Sequence, residues 1–324
     1  MIYLLQRMSR IKNLNSYSFQ KGLLVYMNLV NKLEYLEKQF DADKAFYTAK
    51  NTMKTGFKTI DSNMNLRRGV YLIGGLPSIG KTSFALQLAD NFAKNGNQVL
   101  FFSLEQPEYD LTAKSLNRIK AERDTDARNA MLAYKKYAGN LATVTSESFV
   151  TIEDIESTID QYIKEHNAKP IVMIDYLQLI RTTDNMVKKD SVSYISNKLV
   201  GISKSHKLTL FVLSALNRAN YLSPIDFESF KESGSLEYDA DVVFGLQYQL
   251  IESDSFMNCA SVDKKRKMLS DEKEKDLRKV ELVCLKNRFG KIIPKCKIDY
   301  HTSSDWFVEE DSKPATTKRK ATCF

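Results

Sequence analysis

The run Gly75-Leu76-Pro77-Ser78-Ile79-Gly80-Lys81-Thr82 matches the spacing G-x-x-x-x-G-K-S/T of a phosphate-binding loop. Glycine at both ends lets the backbone curl so that successive N–H groups face one anion. A helix opening at Lys81 adds its positive end to that field. Lys81 is then placed to reach the β- and γ-phosphates of a nucleotide, and the Thr82 hydroxyl to ligate Mg²⁺. Gly75, Pro77, Ser78, Gly80 and Ser83 complete the candidate nucleotide contacts.

Two carboxylates are candidates to serve that phosphate. Ile171-Val172-Met173-Ile174-Asp175 reads as a buried strand with an acid at its C-terminal end, where open α/β sheets bind ligands. Asp175 is expected to hold the water shell of Mg²⁺ with Thr82. It is followed by Tyr176, so no second acid adjoins it. Glu105 follows the apolar run Val99-Leu100-Phe101-Phe102-Ser103. If that strand lies beside the phosphate-loop strand, Glu105 faces the γ-phosphate and orients a water. Position alone also admits an acid at a helix N-terminus.

The elements that must position these residues are legible from periodicity. Strands are expected at Val70–Gly74, Val99–Ser103, Ile171–Asp175, Leu208–Ser214, Val242–Leu246, Val280–Lys286 and Lys295–Tyr300. The spacing predicts a helix over Lys81–Lys94, with Phe84, Leu88 and Phe92 on one face and Asn95-Gly96 as its stop. Thr151 to Asp154 predicts a capping box before Ile155, Ile159 and Ile163. Val192, Ile195, Leu199 and Ile202 mark another helix. Strands alternating with helices give an α/β fold, a mostly parallel central sheet with helices on both faces. The last strands lack long helices between them, so that edge is expected to be antiparallel. Before residue 51, apolar positions from Tyr26 to Phe40 recur at helical spacing and predict a helical arm over 1–50. The ATPase body is expected over 51–310 and a disordered basic tail over 311–324.

Composition narrows the function classes. The 324 residues carry 48 Lys and Arg against 40 Asp and Glu, a net charge of +8 that permits nucleic-acid binding without requiring it. No C-x-x-C pair occurs among Cys259, Cys284, Cys296 and Cys323, which argues against a zinc ribbon and a thiol redox site. No apolar run approaches the ~18 residues of a membrane span. A cytoplasmic protein with no membrane partner is the expectation.

In these motifs the chain resembles the C-terminal motor domain of DnaB-type replicative helicases, which is RecA-like. Thr55-Gly56-Phe57-Lys58-Thr59-Ile60-Asp61 is similar to the entry segment of that domain. Phe101-Phe102-Ser103-Leu104-Glu105 resembles the motif whose Glu is the catalytic carboxylate, which selects that role for Glu105. Asp175-Tyr176-Leu177-Gln178-Leu179-Ile180 resembles the family's Walker B extension. The segment around Lys231 to Gly234 resembles a loop that grips the DNA backbone, with Lys231, Glu232 and Gly234 as implied contacts, and the run on to Asp241 resembles the acidic strand entry after it. Lys231 stands where the family has Arg, so bidentate geometry is lost. Lys286-Asn287-Arg288-Phe289-Gly290 resembles the lysine-x-arginine finger that a neighbouring subunit supplies. By itself it reads as a basic β-turn. A second loop, Arg181 to Asp190 with Lys188 and Lys189, is a further candidate for DNA contact.

The resemblance implies a RecA-like P-loop NTPase that uses ATP and Mg²⁺. It also implies a homo-hexameric ring on single-stranded DNA, with hydrolysis at subunit interfaces, in DNA replication. A separate primase or helicase loader is an implied partner. Two departures stand out. Ser214-Ala215-Leu216-Asn217-Arg218 has Ala215 where the family has a Gln that senses γ-phosphate, so coupling is expected to weaken or to run through Asn217 or Arg218. Residues 1–50 are too few for the family's N-terminal collar domain. These departures motivate an alternative, an ATP-gated DNA-binding or recombination or replication accessory ATPase with little unwinding.

Overall fold

The computed structural model describes residues 19–20, 23–24, 53–146, 148–182, 188–217, 220–233 and 236–310. The chain divides into two compact units, residues 1–50 and residues 51–324. In the first, the described residues are an antiparallel pair of short strands, Phe19–Gln20 with Leu23–Leu24. This differs from the helix expected there. Gly22, a poor helix former, stands between the pairing residues in sequence. Tyr26 to Phe40 and the tail from Asp311 lie outside the described residues.

The second unit is built on a nine-stranded sheet. Its strands are β1 Gly69–Gly75, β2 Val99–Ser103, β3 Leu141–Thr145, β4 Ile171–Asp175, β5 Thr209–Ala215, β6 Val242–Tyr248, β7 Leu277–Asn287, β8 Cys296–His301 and β9 Trp306–Glu309. The spatial order is β9-β8-β7-β6-β1-β5-β4-β2-β3. From β6 to β3 every pairing is parallel, and from β6 to β9 every pairing is antiparallel. Helices cover both faces. That cover explains why β1, β2, β4 and β6 are buried at every residue, and why they read as unbroken apolar runs.

The order corrects one expectation. β2 does not lie beside β1, because β5 and β4 stand between them. β2 pairs instead with β4, in a register that sets Ser103 opposite Asp175. Two strands were not expected. β3, Leu-Ala-Thr-Val-Thr, is an edge strand that is only partly buried, so its sequence need not be apolar. β9 has four residues and a Glu at its end.

The helices that matter for the site are α1 Lys58–Asn63, α2 Lys81–Lys94, α3 Glu108–Arg123, α4 Ala127–Lys135, α5 Ile152–His166 and α6 Lys188–His206. α5 starts with the expected capping box. Thr151 Oγ1 accepts from Asp154 N at 3.1 Å, and Thr151 N donates to Asp154 Oδ2 at 2.8 Å. The charged segment Asp263–Lys279 forms α8, Val262–Lys273, and then enters β7. α7, Leu236–Asp239, precedes β6.

α2 and α3 are joined by a buried ion pair. Asp90 is 0% exposed, Arg118 is 1% exposed, and the Arg118 guanidinium is paired with the Asp90 carboxylate. Ser115 Oγ donates to the same carboxylate at 2.7 Å. Arg118 Nη1 also donates to the Asp305 carbonyl at 3.2 Å, in the turn between β8 and β9. One guanidinium therefore ties two helices to the antiparallel edge. Removing it leaves Asp90 buried and uncompensated. In urea unfolding, Arg118→Met is expected to cost about 3–5 kcal/mol, and the double variant R118M/D90L to recover most of that loss. A cost below about 1 kcal/mol for the single variant would contradict this.

Candidate active site

The phosphate loop links β1 to α2, and its geometry follows from three residues. Gly80 is the N-cap of α2 and has φ 98°, in the left-handed region. A Cβ there would also lie 2.7 Å from Tyr300 Cε1, so glycine is needed twice over. Ser78 has φ 63°. Gly75 keeps an extended conformation, and its requirement is space. A Cβ would lie 3.1 Å from Leu246 O and from Lys81 Cγ. α2 has no side-chain cap and no acid in its first turn. Its leading N–H groups are thus left for an anion.

Around the loop is a pocket lined by Pro77, Ser78, Gly80, Lys81, Thr82, Ser83, Glu105, Asp175 and Ala215, among others. The sequence-derived candidates from four strand ends therefore converge on one place. Gly75 is not in the lining, but its carbonyl accepts a hydrogen bond from Lys81 Nζ at 2.9 Å. Lys81 Nζ also donates to Leu76 O at 3.0 Å. Burial pushes the Lys81 ammonium down to about 8, against the opposing pull of Asp175 and Glu105. Burial likewise pushes Asp175 up to about 6. A hydrogen bond from Thr82 opposes that rise, and the charge of Glu105 adds to it.

Among the described residues, Asp175 Oδ2 is buried with no hydrogen-bond partner. An orphaned carboxylate oxygen beside a threonine hydroxyl is a donor set that fits a hard divalent cation or its water shell. Glu105 reaches the pocket through β4. Leu104 N donates to Asp175 O at 2.8 Å, so the chain beyond β2 is pinned to the end of β4.

Sequence reasoning missed Gln106, Lys114, Tyr176 and Tyr300, which also line the pocket. Lys114 Nζ donates to Ser83 Oγ at 3.1 Å and to Asp305 Oδ1 at 3.2 Å. Ser83 Oγ donates to Asp305 Oδ1 at 2.6 Å. These contacts span widely separated segments, so no local pattern marks them.

The finger candidates are elsewhere. Lys286 is the last residue but one of β7 and Arg288 begins the turn after it; neither lines the pocket. Arg288 Nη1 donates to Asp239 O at 3.0 Å and Nη2 to Tyr238 O at 3.0 Å, with Asp241 Oδ1 3.4 Å away. Lys286 Nζ donates to Tyr238 O. Burial lowers the Lys286 ammonium, and the Arg288 charge lowers it further. Both cations thus grip the segment just after the candidate DNA loop.

Of the DNA-loop candidates, Lys231 and Glu232 fall in the 3-10 helix Phe227–Ser233. Gly234 and Arg218 lie outside the described residues. The segment read as a loop from Arg181 to Asp190 is corrected at its end, since α6 has already begun at Lys188 and Lys189. Asn217 N donates to Ser229 O at 2.9 Å, joining the exit of β5 to that 3-10 helix.

Similar proteins place the chain in a family. The chain is 26% identical over 261 residues to the replicative DNA helicase DnaB of Buchnera aphidicola subsp. Baizongia pistaciae, covering 72% of this chain and 55% of that protein. It is 33% identical over 198 residues to the replicative DNA helicase DnaB of Rickettsia typhi, covering 53% of this chain and 39% of that protein. The chain thus spans about half the length of the curated relatives it matches. Among solved structures, a DnaB-like replicative helicase described with its interactions with primase superposes with a TM-score of 0.67 at 20% identity, over 94% of this chain and 71% of that one. A KaiC-like protein from Pyrococcus horikoshii OT3 gives 0.53 at 18% identity, over 79% of this chain and 97% of that one. At these identities the superpositions speak to the fold, which is RecA-like. Residues 52–309 match the DnaB-like helicase C-terminal domain, and the chain belongs to that family.

Proposed function

We propose that the chain is an ATP-driven motor that works as a homo-hexameric ring on single-stranded DNA during replication. The observation that carries this reading is the split between two sets of residues. Lys81, Thr82, Glu105 and Asp175 line one pocket, whereas Arg288 and Lys286 of the same chain lie outside it. A pocket that holds ATP between subunits needs the finger of a second copy, and this chain presents one on another surface.

The roles follow from position. The loop N–H groups and Lys81 bind the β- and γ-phosphates. Thr82 and Asp175 hold Mg²⁺ partly through its water, and the bound ion supplies charge neutralisation between the phosphates. Glu105 orients the attacking water and accepts its proton. Arg288, with Lys286, stabilises charge on the γ-phosphoryl group of the neighbouring site. Lys231, Glu232 and Gly234, with Lys188 and Lys189, contact the DNA backbone without reading sequence, a mode that weakens with salt. A separate primase or a loader is the expected protein partner. No helix among the described residues is long and apolar enough to cross a membrane, in keeping with a cytoplasmic site of action.

A second reading is favoured by one observation. Ala215 lines the pocket with a methyl group where the family carries an amide. An ATP-gated DNA-binding or accessory ATPase would tolerate that loss more readily than a processive motor. Hydrolysis with and without single-stranded DNA separates the two. The motor reading predicts strong stimulation by DNA, and a fall of at least about 10²-fold in Lys81→Ala and Glu105→Ala. It further predicts that mixing Lys81→Ala with Arg288→Ala restores activity through sites that combine intact halves. Hydrolysis indifferent to DNA, with no restoration on mixing, would favour the accessory reading.

The pH dependence has a definite sign. Asp175 loses its charge as pH falls through about 6, and Lys81 loses its charge as pH rises through about 8. Both must be charged to hold Mg²⁺ and the phosphates. The profile of kcat/KM for ATP, which reports the free enzyme, is therefore expected to be a bell with limbs near those values. A flat profile between pH 5 and 9, a range chosen to bracket roughly both limbs, would refute these assignments.

A further inference from the structure

Residue 215 has no side-chain amide, yet the end of β5 is held by one. Gln178 lies in the short 3-10 helix Leu177–Leu179, just beyond Asp175. Its Nε2 donates to Ser214 Oγ at 2.9 Å, and its Oε1 accepts from Ala215 N at 3.2 Å. Nε2 is also 3.5 Å from Ala215 O. The side chain therefore brackets both main-chain groups of the residue that lines the nucleotide pocket.

This bracket replaces a ladder. β4 and β5 pair at Val172↔Leu210, Met173↔Phe211 and Ile174↔Val212, and the pairing stops there. On the other side of β5, pairing with β1 continues through Gly74↔Ser214 and Gly75↔Ala215, at the base of the phosphate loop. The last two residues of β5 are thus held by the phosphate-loop strand on one flank and by Gln178 on the other. Beyond Ala215 the chain is tightly packed. A Cβ on Gly74 would lie 2.3 Å from Phe230 Cε1 and 2.7 Å from Leu216 Cδ2. Asn217 N donates to Ser229 O at 2.9 Å, in the 3-10 helix that carries Lys231 and Glu232. A continuous set of contacts therefore runs from the end of β4, through one glutamine amide, to the segment 216–233.

We propose that Gln178 is the positioning residue that transmits occupancy of the nucleotide pocket to segment 216–233, in a chain whose residue 215 cannot. The inference rests on reading the pocket as a nucleotide site. A shift of the loop after Asp175 moves the Gln178 amide, and the amide moves Ala215 because it holds both its N–H and the hydroxyl beside it. Without the amide, the Ala215 N–H is left without this partner and the two strand ends move independently.

The test is hydrogen exchange on the whole chain, with and without Mg²⁺ and the slowly hydrolysed analogue ATPγS. It needs no DNA and no turnover. In the wild type, nucleotide is expected to slow exchange in both 75–90 and 216–233. Gln178→Met keeps the length and removes the hydrogen bonds. It is expected to keep the response at 75–90 and to shrink that at 216–233 at least about fivefold. Gln178→Glu can still accept from Ala215 N–H and from the Ser214 hydroxyl, and is expected to stay within about twofold of wild type. Should Gln178→Met not fold, Ser214→Ala removes one arm of the bracket and is expected to shrink the same response. A full response at 216–233 in Gln178→Met or Ser214→Ala overturns the proposal. So does a wild-type response confined to 75–90, or a loss in Gln178→Glu as deep as in Gln178→Met. Protection of neither segment in the wild type would instead strike the nucleotide-site reading itself, and the inference with it.

Discussion

Asp175, at the end of β4, and Lys81, at the start of α2 beyond the loop from β1, are opposite charges held largely out of water above the parallel half of the sheet. Burial alone would neutralise both, raising the acid and lowering the amine. Each partly offsets the cost for the other, and the Thr82 hydroxyl adds a hydrogen bond to the acid. Much of the architecture serves to keep this pair in place. β1 and β4 are separated only by β5, so the loop after β1 and the acid ending β4 open on one pocket. The helix that starts at Lys81 has no side-chain cap, so its leading N–H groups are open to an anion.

The antiparallel half of the sheet is not a passive edge. Its β8–β9 turn supplies Asp305, which accepts hydrogen bonds from Ser83 and Lys114 beside the phosphate loop. Its β7 carries Lys286 and leads into Arg288, and both hold carbonyls of the segment leading out of the candidate DNA loop. The same strands therefore brace the candidate nucleotide pocket at one end and carry the finger candidates at the other. A change at Tyr238–Asp241 reaches the finger directly, since Arg288 is bonded to that segment by both its side chain and its main chain.

Much of this was legible in the sequence where a requirement is local. The phosphate loop, the capping box at Thr151 and the buried strands each follow from neighbours in the chain. The edge strands β3 and β9 were not, because a half-exposed strand needs no apolar run. Strand order was not legible either. Glu105 was expected to reach the γ-phosphate from a strand next to β1, but it reaches the pocket from beside Asp175. Lys114, Tyr300 and Gln178 gave no signal, because each is defined by a partner far away in sequence. Lys188 and Lys189 looked like loop residues because the segment before them is polar, although α6 starts there.

The central claim is that Asp175 is the acid that makes nucleotide binding depend on the divalent ion. Calorimetric titration of ATP into wild type and Asp175→Asn, each with Mg²⁺ and with a chelator, tests it most directly. The account predicts that Mg²⁺ tightens binding at least about tenfold in the wild type, a difference of roughly 1.4 kcal/mol, and changes it little in Asp175→Asn. Full Mg²⁺ dependence in Asp175→Asn would contradict the account and move the ion's ligand to another residue.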